Sequence, residues 1–289
     1  MASLRHIRKR ISSVKNTEQI TRAMKMVAAS RFRKAQDAVL AARPYAREMQ
    51  ASLRRVARNK DVSDHPLLAR REPQREDLWV LTSDRGMCGS FNSNVLRGVE
   101  HYILDQYEAK REVRVHTMGR KAYRYFTKEK IEIFENIEDM LATPNFRRAL
   151  ELTEDLAERF CKGEVDRVTL VFNEFRSAIQ QQVVFRTLLP IDPPEGLCDD
   201  REQIDYIYEP TNTGLLDKLV RTYLANQLFI VVLESVASEH GARMTAMESA
   251  TTNAVEMIDR LTLQYNKARQ SAITTELMEI VSGAEALKG

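Results

Sequence analysis

The sequence predicts an α+α/β protein in which the two ends of the chain form long helices, paired antiparallel as a coiled coil, around a central α/β domain. Three observations predict it. Residues 211–287 pass without a single proline; inside that stretch apolar residues recur at alternating steps of three and four; and over 75–195 the pattern changes to short apolar runs separated by helical segments. The proline-free stretch is too long for an ordinary globular helix, and its periodicity is the seam of a coiled coil.

In the C-terminal helix, 211–289, the seam reads Met244, Met247, Thr251, Ala254, Ile258, Leu261, Tyr265, Ala268 and Ala272, then moves by one residue to Ile273, Leu277, Ile280, Ala284 and Leu287. The N-terminal segment, 1–60, sets Leu4, Ile7, Ile11 and Val14 on one face, which after a slip resumes at Ile20, Met24 and Val27. From Ala35 the face turns small, through Ala38, Ala42 and Ala46, so that two helix backbones can approach closely; Met49, Leu53 and Val56 restore bulk. Pro44 removes one backbone hydrogen bond and is expected to kink this helix, which should end near Asn59. Two terminal helices joined through a compact middle pack most economically as an antiparallel pair. Roughly 55 residues against about 75 leave about 30 Å of the C-terminal helix over. Those leftover apolar residues either meet another protein or fold back on their own domain.

A polar linker punctuated by Pro66 and Pro73 leads into the middle. Strands are expected over 78–81, 113–118, 131–134, 168–172 and 183–189, with helices up to about Ala109, over 121–126 and over 145–162. Such alternation means a Rossmann-like α/β sandwich with a largely parallel sheet. Pro190, Pro193 and Pro194 then mark the exit towards the last helix.

Composition fits this outline. Of 289 residues 43% are hydrophobic, enough for a core, while an aromatic content of 7% leans towards long helices. The net charge of +3 hides an asymmetry: residues 1–60 hold 16 Lys/Arg against 3 Asp/Glu, a surplus of 13, so the remainder carries −10. A basic helix beside an acidic remainder implies an anionic partner or internal complementarity. A basic helix alone is a weak nucleic-acid footprint, and with no zinc-finger, homeodomain or RNP pattern beside it no nucleic-acid partner is expected. Cys88, Cys161 and Cys198 lack metal or disulfide spacing. The longest aliphatic and aromatic run, 228–233, is far short of the roughly twenty residues a membrane span needs. The basic opening resembles a transit peptide superficially, but its pattern continues unbroken through Met24, Val27 and Arg33 and reads as mature protein.

The loop after the first strand, with Asp84, Arg85, Gly86 and Gly89, lies where an α/β sheet places ligands. It has neither a GxGxxG nor a Gly-Lys-Ser/Thr signature, which favours a tight turn capped by Asn92 or Ser93 over a phosphate cradle. Asp84 and Arg85 could equally be a surface ion pair. His6, His65, His101, His116 and His240 stand in separate segments without metal-site spacing. Cys88 reads as a buried, inert thiol with no base beside it in sequence. These residues describe a mechanical or binding protein, for which no catalytic, cofactor or metal site is expected.

Three segments carry a resemblance: 11–36 (ISSVKNTEQITRAMKMVAASRFRKAQ), 82–94 (TSDRGMCGSFNSN) and 238–286, with SEHGARMTAMESATTNA and YNKARQSAITTELMEIVSGAEA. Together they resemble the gamma subunit of bacterial F-type ATP synthases. The resemblance implies a central stalk, a rotor shaft inside a ring of alpha and beta subunits, with its foot on the membrane c-ring beside the epsilon subunit. It implies a non-catalytic subunit that couples proton-driven rotation to conformational change at catalytic sites on beta, regulates ATPase activity and proton flow, and sits peripherally at the cytoplasmic face of the inner membrane. It also implies contact with the catalytic ring through Met24, Lys25, Arg243, Arg269, Gln270, Thr274, Glu276 and Ile280, and with the rotor ring and epsilon through Tyr206, Tyr208 and Glu209. Two other readings compete: a stand-alone coiled-coil adaptor, and a nucleotide-binding enzyme using the 84–90 loop.

Overall fold

The computed structural model describes residues 4–57, 65–177, 180–191 and 212–286. Within them the order is α1 (Leu4–Ala57), a 3-10 turn (Pro66–Leu68), β1 (Arg75–Leu81), α2 (Phe91–Glu108), β2 (Glu112–Met118), α3 (Arg120–Lys128), β3 (Ile133–Ile137), α4 (Phe146–Cys161), β4 (Arg167–Phe175), β5 (Gln181–Leu189) and α5 (Asn212–Ala286). The chain divides into two units, residues 1–28 with 244–289, and residues 29–243.

The first unit is the coiled coil. On α1, Ile7, Val14, Thr21 and Ala28 fall seven apart, and so do Leu4, Ile11, Glu18 and Lys25; with Met24 these are the only residues of 4–28 that are not exposed. The expected slip therefore does not occur. Ile20 and Val27 are 60% and 55% exposed, because the heptad continues through polar residues that find partners in the seam. Thr251 Oγ1 donates to Thr21 Oγ1 at 2.8 Å, Lys25 Nζ meets Glu248 Oε1 at 2.7 Å, and Arg8 Nη2 donates to the Tyr265 hydroxyl at 2.6 Å. In each of these pairs a step forward along α1 is a step back along α5, so the helices run antiparallel in one register.

On α5 the predicted seam holds. Between 252 and 272 only Ala254, Ile258, Leu261, Tyr265, Ala268 and Ala272 escape full exposure. Every residue from 273 to 284 is exposed, including Ile273, Leu277 and Ile280 at 48%, 57% and 67%. Of the two fates the sequence leaves open, folding back is not the one taken by these described residues. The bare stretch rises about 20 Å, shorter than expected because Leu4, the first described residue of α1, already reaches almost to Ala272 in this register.

The second unit holds a five-stranded sheet in the order β3-β2-β1-β4-β5, with β5 antiparallel to β4 and the other pairs parallel. The central β1 buries six of its seven residues, as a parallel strand covered on both faces must. Leu78, Val80, Val115 and Val171 pack under α2 and α3 through Val95, Val99, Ala122 and Phe126. On the opposite face Trp79, Leu81, Met118, Leu170 and Phe172 meet Leu156 and Phe160 of α4, and Leu224, Leu228 and Val232 of α5. Ala35, Ala38, Val39 and Ala42 of α1 join that core, so the small face serves the close approach it predicted. Pro44 lies inside α1, which continues past it. By length and composition α5 contains an apolar window long enough to cross a membrane, but 67% of that window is buried inside the protein.

One buried ionic cluster ties β1 to α4. Asp77 is fully buried and takes Arg159 Nη2 at 2.8 Å, with His116 Nε2 at 3.3 Å and the His116 ring stacked 4.4 Å from Trp79. Removing either partner of such a pair strands a charge in the core.

Gly119, between β2 and α3, sits at φ +110°, and a Cβ built there would lie 2.0 Å from the Thr82 carbonyl oxygen. Thr82 in turn accepts the Ala122 amide on its Oγ1 at 2.9 Å. Gly119→Ala is therefore expected to cost about 3 kcal/mol, read as a lowered denaturation midpoint in urea. An unchanged midpoint would show that the β1 and β2 ends do not need this close approach.

Candidate partner-binding surface

The loop that follows β1 is held from three sides. Its own residues fold it first: Ser83 Oγ donates to the Arg85 carbonyl at 2.6 Å, and Asn92 of α2 reaches back to accept the Ser83 amide at 3.0 Å. Asn92 Nδ2 also lies 3.2 Å from the buried Cys88 Sγ. So Asn92 pins the loop rather than capping its own helix; Ser90 is the N-cap and makes no side-chain cap. Gly89, at φ +58°, makes the left-handed turn into α2.

From the β2 side, Asp84 Oδ1 accepts the Arg120 amide at 3.0 Å and stands 3.8 Å from Arg120 Nε. The surface ion pair considered between Asp84 and Arg85 is not formed. Arg120, 36 residues further along the chain through β2, is the partner the sheet brings in.

From α5 comes Arg243. Its guanidinium donates to the Arg85 carbonyl at 3.2 Å and to the Gly86 carbonyl at 3.3 Å, and grips Glu239 Oε1 at 2.7 Å. Only 8% of Arg243 is exposed, so its charge faces inward and clamps the loop to the helix. The loop shows Arg85, Met87, Gly89 and Ser90 outward, Met87 being 62% exposed. Burial pushes the Glu239 carboxyl above its ordinary pKa while Arg243 pulls it down. His240, whose Nδ1 lies 3.2 Å from Arg243 Nη1, is pushed down to about 4, by burial first and then by Arg243 and Arg31. It is neutral at physiological pH and accepts from the guanidinium.

The residues singled out for the catalytic ring separate into three groups. Arg243 is gathered with Asp84, Arg85 and Gly86. Met24 and Lys25 lie half-buried in the coil seam. Arg269, Gln270, Thr274, Glu276 and Ile280 are all exposed on α5, the first two beside the last covered turn and the others on the bare stretch. There Thr274 Oγ1 donates to the Gln270 carbonyl at 2.9 Å. Tyr206, Tyr208 and Glu209 lie outside the described residues, as does Cys198. Sequence reading missed Arg120 and Glu239. The i, i+4 spacing of Glu239 and Arg243 was a legible signal for that pair; nothing local pointed to the loop carbonyls that complete it.

These features define a class: a chain with an antiparallel coiled-coil helix pair that ends in a bare apolar stretch, and an α/β unit whose β1 loop is clamped by Arg243 of the same unit. Comparison with known proteins narrows it. A family model described as ATP synthase matches residues 3–287. The ATP synthase gamma chains of Trichlorobacter lovleyi and Geobacter metallireducens are 49% and 50% identical to it over 289 residues, covering 100% of both chains in each case. A chain from the central stalk/c-ring structure of Tetrahymena thermophila mitochondrial ATP synthase is 26% identical, with a TM-score of 0.60 over 80% of this chain and 99% of that one. A chain from the OSCP/F1/c-ring structure of the Euglena gracilis enzyme shares the fold at 20% identity, with a TM-score of 0.68 over 98% and 94%. The chain belongs to the ATP synthase gamma chain family.

Two outcomes test the latch. Arg243→Ala leaves Glu239 buried without its cation and is expected to cost about 3 kcal/mol, with Glu239→Gln in the same chain recovering part of it in thermal unfolding. For His240, the depressed pKa means that its contribution is whole above the ordinary 6.5 and is lost as pH falls towards about 4. Wild type should therefore lose more thermal stability than His240→Gln between neutral pH and about pH 5; parallel losses would place His240 in contact with water.

Proposed function

We propose that this chain is the central stalk of a proton-translocating F-type ATP synthase, turning inside a ring of alpha and beta subunits and coupling rotation of a membrane c-ring to the catalytic sites on beta. The observation that carries the reading is the end of the seam. Apolar side chains are covered by α1 as far as Ala272 and are bare at Ile273, Leu277, Ile280 and Val281, and this stretch belongs to a chain matching gamma chains from end to end. An apolar helix end without cover at home is suited to a bearing supplied by a partner.

The coupling needs no active site in this chain. Two helices of unequal length present different side chains to each of three surrounding sites, and only such unequal contact biases their conformations. Exposed Arg269, Gln270, Thr274, Glu276 and Ile280 are the residues we assign to the ring, with Met24 and Lys25 lower on the coil. Arg243 acts there through the loop it clamps, whose Arg85 and Met87 face outward. Tyr206, Tyr208 and Glu209 are assigned to the c-ring and epsilon, at the cytoplasmic face of the bacterial inner membrane. Regulation of ATPase activity and of proton flow follows from the same coupling.

The test is reconstitution. Alpha and beta subunits mixed with this chain are expected to form a complex containing one copy of it and to hydrolyse ATP faster than without it. Arg269→Ala with Gln270→Ala should weaken that assembly by about tenfold, the loss of two charged or polar contacts. A chain that neither associates nor stimulates would return the reading to a coiled-coil adaptor, and saturable nucleotide binding by the chain alone would favour the enzyme.

A further inference from the structure

The α/β unit contains a cleft of about 920 Å³, lined in part by Arg85 and Arg243. It opens at the C-terminal ends of three parallel strands: Asp84 and Arg85 follow β1, Arg120 follows β2, and Asp139 and Leu141 follow β3. That is the edge at which open α/β sheets hold ligands, and the volume lies in the range of small-molecule sites. The remaining walls are α1 and α5.

Its lining is divided by polarity. Ala38 of α1, Leu141, and Phe229 and Leu233 of α5 make an apolar wall, while the other end carries five cations, Arg31, Lys34, Arg85, Arg120 and Arg243, against three acids. Each acid is already engaged. Asp84 and Asp139 lie 3.8 and 3.6 Å from Arg120, and Glu239 lies 2.7 Å from Arg243. Arg31, Lys34 and Arg85 close no ion pair among the described residues, although the charge of Arg31 is felt at Glu239 and His240. Three cations thus stand at the mouth of an apolar slot without a counter-charge of their own.

The backbone argues against a nucleotide here. The first amides of α3, which would cradle a phosphate, are taken: Arg120 by Asp84, Lys121 by the Ser83 carbonyl at 3.2 Å and Ala122 by Thr82 at 2.9 Å. An anion must therefore be held by side chains alone, at a site whose surplus charge is small and whose far end is hydrocarbon. We propose that this cleft binds a small amphiphilic anion, a fatty carboxylate or its like, with the head at Lys34, Arg31 and Arg85 and the tail along Ala38, Phe229 and Leu233. The site shares Arg85 and Arg243 with the surface assigned above to the ring, but its test reads binding by the chain alone, so its failure is distinguishable from failure of ring assembly.

The experiment is calorimetric titration of the full chain with decanoate below its micellar concentration, with decylamine and ATP as controls. One decanoate site per chain is expected, with neither control bound there. Arg31→Glu with Lys34→Glu changes two exposed side chains and should weaken decanoate by about tenfold or more, while Ala38→Trp fills the slot and removes binding. If Ala38→Trp fails to fold, the charge-reversed chain decides alone. Equal affinity in the charge-reversed chain, equal binding of decylamine, or binding that disappears on deleting residues 273–289 would each overturn the proposal, the last by placing the ligand on the bare helix end. Absence of saturable binding would overturn it as well.

Discussion

The helix α5 carries more apolar surface than any single neighbour covers, and the rest of the molecule is arranged around that fact. Between Leu216 and Ala237 the surface is buried by the sheet, α4 and the small face of α1, with Val220, Leu224, Leu228, Val231 and Val232 at or near zero exposure. At about 1.5 to 3 kcal/mol for each such side chain, this segment is part of the core of the α/β unit. From Thr252 to Ala272 α1 is the cover among the described residues, and the buried stripe narrows to a single heptad seam. Past Ala272 there is no cover at all among the described residues. One helix therefore passes through three solvent regimes.

A narrow seam gives little apolar burial, and here it is interrupted by Glu18, Thr21 and Lys25. These polar positions weaken the pair locally but fix its register, because Thr21 reaches Thr251 and Lys25 reaches Glu248 only in one alignment. Lys25 and Glu248 are 38% and 57% exposed, so solvent screens the pair and its worth is mainly specificity. A shaft that must hold one alignment under load benefits more from register than from maximal stability.

The Arg243 latch shows how a buried charge orders an exposed loop. A guanidinium is suited to it, since its planar fork serves two carbonyls and a carboxylate at once. Arg85 and Gly86 offer those carbonyls only because Asn92 and Arg120 hold the loop in place. Arg243 is thus buried, while Arg85 and Met87 on the loop are exposed.

Sequence by itself determined the elements, the antiparallel pairing and the family. Proline-free length, heptad spacing from Met244 to Ala272 and the strand–helix alternation are local patterns, and local patterns survive unfolding. It misplaced the α1 seam at Ile20 and Val27 because hydrophobicity alone ranks isoleucine and valine above Thr21 and Lys25; the polar pair across the coil outweighs that ranking. Only the tertiary structure decided which charges meet. Asp84 with Arg120, Arg243 with the loop carbonyls, and the three uncompensated cations of the cleft depend on strand order and helix placement, which bring together residues far apart in the chain. Their distances follow from packing, and packing is not written in the spacing of any one segment.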